Sequence, residues 1–88
     1  MTNRETLDLM IAEALLTKQQ RRYLQTLRHI PNLPNMISPR ELQKLLKRDG
    51  FDVSVRTTQR DLMTLRDTFP LEVVSEEKLK QYYWAWKV

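Results

Sequence analysis

A mainly α-helical domain closed by a C-terminal β-hairpin is the fold class that this 88-residue sequence predicts. Three observations predict it. Capping signals open successive segments whose apolar residues recur every three or four positions. The only glycine, Gly50, falls between two of those segments, where a left-handed helix end is wanted. After Pro70 the periodicity changes to two β-prone runs separated by a polar stretch.

Each element follows from its residues. Thr2-Asn3-Arg4-Glu5 fits a capping box, and Leu7, Met10, Ile11, Ala14 and Leu15 then follow at helical spacing to about Leu16. Thr17-Lys18-Gln19-Gln20 repeats the box and opens a second helix, with Tyr23, Leu24, Leu27 and Ile30 as its stripe and Pro31 and Pro34 as its stop. The chain therefore divides into an N-terminal amphipathic helix, residues 1–17, and a domain over residues 18–88. Pro31 to Ile37 reads as a loop delivering Met36 and Ile37 as a short strand. Ser38-Pro39-Arg40-Glu41 is the strongest local signal: serine as N-cap, proline at the first helical position where no N–H is missed, and glutamate closing the box. Leu42, Leu45 and Leu46 form the buried stripe of that helix, and Phe51 after Gly50 is its hydrophobic closure. Ser54 caps the next helix, about residues 54–68, whose core face is Val55, Thr58, Leu62, Leu65 and Phe69. Leu71–Val74 and Gln81–Lys87 form the hairpin, with a loose tip because no Asn-Gly or Asp-Gly pair tightens it.

Two capped helices joined by a short turn and followed by a two-stranded ribbon are the layout of a winged helix-turn-helix, here with an extra N-terminal helix. The charge distribution fits it. Between Lys18 and Arg66 there are eleven Lys/Arg and four Asp/Glu, a local balance of +7 against −3 for the rest of the chain. A basic middle between acidic ends suits a polyanion-binding face, although such a run is also an ordinary solvated surface. At ~100° per residue, Arg60 lies almost opposite the core stripe of helix 54–68, Arg56 lies beside it, and Thr57 and Gln59 flank them. All four fall in the first two turns, where a recognition helix enters the major groove; arginine pairs with guanine and glutamine with adenine. Around the preceding helix, Ser38, Arg40, Lys44, Lys47 and Arg48 are placed to position phosphates, as are Ser54 at the next cap and Lys78 and Lys80 at the hairpin tip. Glu76 and Glu77 beside the tip lysines weaken that last contact. Arg21, Arg22 and Arg28 extend the set of candidate phosphate ligands. Tyr82, Trp84 and Trp86 alternate onto one strand face, where packing on the helices is the stronger expectation.

With Arg56-Thr57-Thr58-Gln59-Arg60-Asp61-Leu62, Ser38-Pro39-Arg40-Glu41-Leu42 upstream, and Phe69-Pro70-Leu71 to Tyr82-Tyr83-Trp84-Ala85-Trp86 downstream, the sequence from about Tyr23 to Trp86 resembles the N-terminal winged helix-turn-helix domain of bacterial WYL-domain (DeoR-like) transcriptional regulators. The resemblance implies a sequence-specific double-stranded DNA-binding regulator, with Arg56, Thr57, Gln59 and Arg60 facing DNA and Asp61 in a structural pairing. In that family a ligand-sensing effector domain follows; here the residues run to Val88, so either a longer parent chain carries it or the protein is naturally short. Two positions depart from the pattern: Thr58 stands where an aliphatic residue is usual, and Tyr83 where glycine is frequent.

Other classes have less behind them. With no cysteine, thiolate metal sites, disulfides and cysteine nucleophiles are excluded, and a lone His29 near a helix end leaves no catalytic constellation. No enzyme activity, metal or cofactor is expected, and no run is long and apolar enough for a membrane span. A cytoplasmic, nucleoid-associated protein is the expectation. The rival is a protein-interaction module without DNA affinity, built on the Leu7, Met10, Ile11, Ala14 and Leu15 face. That face either packs on its own domain or makes a homodimer, which would set two recognition helices ~34 Å apart.

Overall fold

The computed structural model describes residues 14–78 and 80–87, and these form three helices followed by a two-stranded antiparallel hairpin. The helices are α1 (Lys18–His29), α2 (Pro39–Arg48) and α3 (Val55–Arg66), and the strands are β1 (Leu71–Glu76) and β2 (Gln81–Trp86).

Local chemistry sets every helix boundary. At α1 the capping box is complete: Gln20 N–H donates to Thr17 Oγ1 at 3.1 Å and Thr17 N–H to Gln20 Oε1 at 2.9 Å. At α2, Glu41 N–H donates to Ser38 Oγ at 3.2 Å, and the Ser38 hydroxyl turns back to the Glu41 carboxylate. The glutamate thus closes on the hydroxyl instead of the backbone N–H of a standard box. The end of α2 is a Schellman motif, with Phe51 N–H on Leu46 O at 2.9 Å and Gly50 N–H on Lys47 O at 3.1 Å. Gly50 sits at φ +96°, the backbone region that only glycine enters without strain. Phe51 packs on the core beyond it, as its position after the glycine predicts. Gln43 then ties the turn down by donating to Val53 O at 3.1 Å.

The core is one cluster of Ile30, Ile37, Leu42, Leu46, Leu62, Leu65, Leu71 and Trp84, fringed by Tyr23, Leu27, Leu45, Phe51, Val53, Phe69, Val73 and Trp86. A fully buried leucine is worth ~1.5–3 kcal/mol of transfer free energy, so this cluster is what holds three short helices together. The hairpin register pairs Leu71 with Trp86, Val73 with Trp84 and Ser75 with Tyr82, placing these six on one sheet face. Phe69 meets Trp86 edge-to-face, centroids 6.0 Å apart, and the Trp86 indole N–H donates to Leu27 O at 3.2 Å. Ile37 exchanges two backbone hydrogen bonds with Trp84, at 2.9 and 2.8 Å, so the loop expected to deliver a short strand lies along the free edge of β2 as an isolated bridge. The Leu33–Pro34 peptide in that loop is cis.

Two features of the helix packing depart from the apolar-stripe picture. Thr26 and Thr58 are both wholly buried, each hydroxyl returning to the carbonyl one turn back, Arg22 O at 2.8 Å and Ser54 O at 3.0 Å. Thr58 therefore sits among the buried residues of α3 with its polar atom satisfied. Asp61 is 3% exposed and takes a two-pronged bond from Arg22, Nε to Oδ2 at 2.6 Å and Nη2 to Oδ1 at 3.1 Å. This pair ties α1 to α3 across 39 positions of sequence.

Candidate nucleic-acid interface

The buried arc of α3 is Thr58, Asp61, Leu62 and Leu65. Rotating by ~100° per residue, the opposite arc carries Arg56, Gln59, Arg60 and Met63, and all four are exposed. Three of these are the predicted positions; Met63, with 52% of its surface open, completes the arc and was missed. Its signal was present in the spacing, because it stands seven, four and three residues after Arg56, Gln59 and Arg60. The fourth predicted position behaves differently. Thr57 is half-buried, and its Oγ1 accepts from the Ser54 hydroxyl at 3.1 Å while its N–H donates to Ser54 Oγ. Thr57 is thus on the shoulder of the arc as part of the cap.

The second array lies on α2. Arg40, Lys44, Lys47 and Arg48 are all exposed, and their spacing of i, i+4, i+7 and i+8 gathers them on the side opposite Leu42 and Leu46. The ion pairs described, Arg22–Asp61 and His29–Asp49, draw on none of these cations, nor on Arg56, Arg60 or Arg66. Between Ser54 and Arg66 the only carboxylate is Asp61, and that one is turned inward. The charged groups on the outward side of α3 are therefore all cations. Its first turn also presents the positive end of the helix dipole with no acidic side chain to offset it.

Several predicted phosphate ligands have side chains engaged within the domain. Ser38 is 5% exposed with its hydroxyl committed to Glu41, and the Ser54 hydroxyl is committed to Thr57, so both are caps whose side chains are already used. Arg22, expected among the phosphate contacts, is instead the inward partner of Asp61, which holds its guanidinium above the ordinary arginine pKa against the cost of burial. Arg21 and Arg28 remain exposed on α1. At the hairpin tip Lys78 and Lys80 are exposed beside exposed Glu76 and Glu77, the mixed arrangement the sequence implies. Leu7, Met10 and Ile11 lie outside the described residues. Ala14 and Leu15, the other members of that face, are exposed, Leu15 by 80%.

His29 is the last residue of α1, and its Nε2 meets Asp49 Oδ2 at the C-terminal end of α2. Gln25 donates to the same carboxylate oxygen at 2.9 Å. The His29 contact first, and then the Gln25 bond, hold the Asp49 carboxyl below the ordinary carboxylate range. This cluster fastens α1 to the α2 terminus. Among the described residues no group of three His, Cys, Asp or Glu could hold a metal, and no helix is long and apolar enough to cross a membrane. Comparison of the chain with protein-family models, curated proteins and solved structures finds no match.

Proposed function

We propose that this chain is a winged helix-turn-helix domain that binds double-stranded DNA sequence-specifically, of the type found in bacterial WYL-domain transcriptional regulators. In this reading α3 lies in the major groove. Arg56, Gln59 and Arg60 reach base edges, and Met63 adds an apolar contact suited to a thymine methyl. Arg40, Lys44, Lys47 and Arg48 on α2 run along the phosphates, fixing register and supplying most of the non-specific affinity. Lys78 and Lys80 touch the backbone weakly, screened by their acidic neighbours.

The observation that carries the proposal is the absence of any outward carboxylate from Ser54 to Arg66, on a helix whose exposed arc holds Arg56 and Arg60 and which follows a helix with four exposed cations. A solvated helix surface ordinarily mixes charge signs, whereas a single-sign cationic one suits the approach to phosphates. The test is anisotropy of a labelled generic duplex titrated with protein across a salt series. Four α2 phosphate contacts give a log–log slope of about −3.6, at ~0.9 per neutralised phosphate. Micromolar-order binding with that slope supports the proposal, and no binding at low salt refutes it.

A second reading rests on Leu15, whose 80% exposure leaves apolar surface open at the start of the described residues. It makes the chain a homodimerising interaction module, and a dimer by sedimentation with no DNA affinity is its signature.

A further inference from the structure

Beside the outward arc of α3 runs a groove of about 440 Å³, within the ~300–1,000 Å³ of sites that take small organic molecules. One wall is α3, through Gln59, Met63 and Arg66; the other is the hairpin, through Val73, Tyr82 and Trp84. The geometry is written in the spacing. Residues 59, 63 and 66 stand at i, i+4 and i+7 on one side of α3, and Val73 pairs with Trp84 on the sheet face that Tyr82 shares. Met63 and Tyr82 leave 52% and 51% of their surfaces open, so the lips of the groove are apolar.

Its polar groups are few: the Arg66 guanidinium, the Gln59 amide and the Tyr82 hydroxyl. Arg66 is the only charged lining residue, is exposed, and is engaged by neither described ion pair. Trp84 is 3% exposed, and its buried indole N–H has no acceptor. Trp86, by contrast, has one in Leu27 O. A buried donor left without a partner is uncommon and calls for an explanation. The groove therefore offers four apolar or aromatic side chains and a guanidinium fork, and no carboxylate to repel an anion.

We infer that this groove binds an aromatic carboxylate, its ring enclosed by Met63, Val73, Tyr82 and Trp84 and its carboxylate held two-pronged by Arg66. Charge complementarity selects the anion, and the apolar walls select a planar body of one or two rings over a bare phosphate. The site stands independently of the DNA reading. If that reading holds, Gln59 belongs to both surfaces, and ligand and duplex oppose each other with equal and reciprocal effect on affinity.

The experiment titrates naphthoate into the full chain and follows the two indole N–H signals by proton–nitrogen correlation NMR, with naphthylmethanol as the uncharged match. The Trp84 signal is expected to shift saturably, and Trp86, tied to Leu27, to shift less. Arg66→Gln is expected to weaken naphthoate binding by about tenfold or more and leave naphthylmethanol unchanged, since an ion-paired hydrogen bond is what it removes. A Trp84 signal unmoved into the millimolar range overturns the proposal, as does equal binding of naphthoate by Arg66→Gln. Release of a bound duplex by naphthoate supports the shared use of Gln59. A chain that binds no duplex but gives the Arg66-dependent shift retains this site and loses the DNA reading.

Discussion

Removing Arg22 and removing Asp61 should not cost the same, although the two form one ion pair. Asp61 keeps 4% of its side-chain surface in solvent and Arg22 keeps 17%. In Arg22→Ala the carboxylate is left buried without its cation, the situation in which breaking a pair costs ~3–5 kcal/mol. In Asp61→Ala the surviving guanidinium sits on a long stem already reaching the surface and can turn outward, so the loss is nearer ~1–3 kcal/mol for bonds removed with partial resolvation. A chain of this length has ~4–13 kcal/mol of stability in total at roughly 0.05–0.15 kcal/mol per residue, so Arg22→Ala removes a large fraction of it. At ~4–8 °C per kcal/mol for a domain of this size, a loss of ~3 kcal/mol lowers the melting midpoint by ~12 °C or more. Urea denaturation at neutral pH measures both variants, read as midpoint changes at constant slope. The paired replacement Arg22→Met with Asp61→Leu should return to within ~1 kcal/mol of the parent, because it removes the desolvation cost with the attraction. A loss under ~1 kcal/mol for Arg22→Ala, or a larger loss for Asp61→Ala, would refute this account of the pair.

Three further expectations follow from single positions. Gly50→Ala meets no atom within 4 Å of its new Cβ, so its cost is backbone strain alone at φ +96°, ~1–2 kcal/mol by thermal melting. Asp49 has a depressed folded-state pKa, so its contribution to stability is fully present above the unfolded value near ~3.9 and is lost as pH falls through the lower folded value. The stability gap between the parent and Asp49→Asn should therefore be widest above about pH 4 and close on acidification, and a gap independent of pH would sink that assignment. Arg60→Ala should weaken a selected operator by ~1–3 kcal/mol and relax preference at one base pair, while Lys44→Ala should lower affinity evenly and reduce the salt slope by about one. Equal effects of Arg60→Ala on operator and random duplex would place that side chain on phosphate.

What could be read from the sequence was whatever is decided within about five residues. The Thr17, Ser38 and Ser54 caps, the Gly50 stop, the proline boundaries and the register face of Trp84 and Trp86 each depend on bonds or periodicities that short. The Arg22–Asp61 pair depends on contact between residues far apart in the chain, and composition alone placed Arg22 with the surface arginines. Part of it was nonetheless signalled. Asp61 lies on the same arc as Thr58, Leu62 and Leu65, and a carboxylate on a buried stripe requires a cation from the element packed against it. The identity of that element was not available without the helix packing. Thr26 was passed over for the same reason, since its burial comes from the packing of other elements on α1 and its hydroxyl is satisfied inside its own helix. Gln59 with Met63 was legible as a helix face, but the groove opposite the hairpin was not, because it exists only where β1 and β2 come back past α3.

The basic middle of the chain thus serves two different ends, and the inward one conditions the outward one. Apolar burial of Leu62 and Leu65 selects the face of α3 that turns inward, but only to within a broad arc, since hydrophobic contact is non-directional. The two-pronged bond from Arg22 to Asp61 is directional, with both carboxylate oxygens engaged. A turn of α3 by one residue would swing Asp61 by ~100° away from Arg22 and carry Arg56 and Arg60 off the exposed arc by the same angle. The rotation of α3 that satisfies the buried pair is therefore the rotation that presents Arg56, Gln59 and Arg60 to solvent. One arginine taken out of the surface charge thus reinforces the direction that the buried stripe gives the other two, and the count of +7 between Lys18 and Arg66 does not convey that geometry.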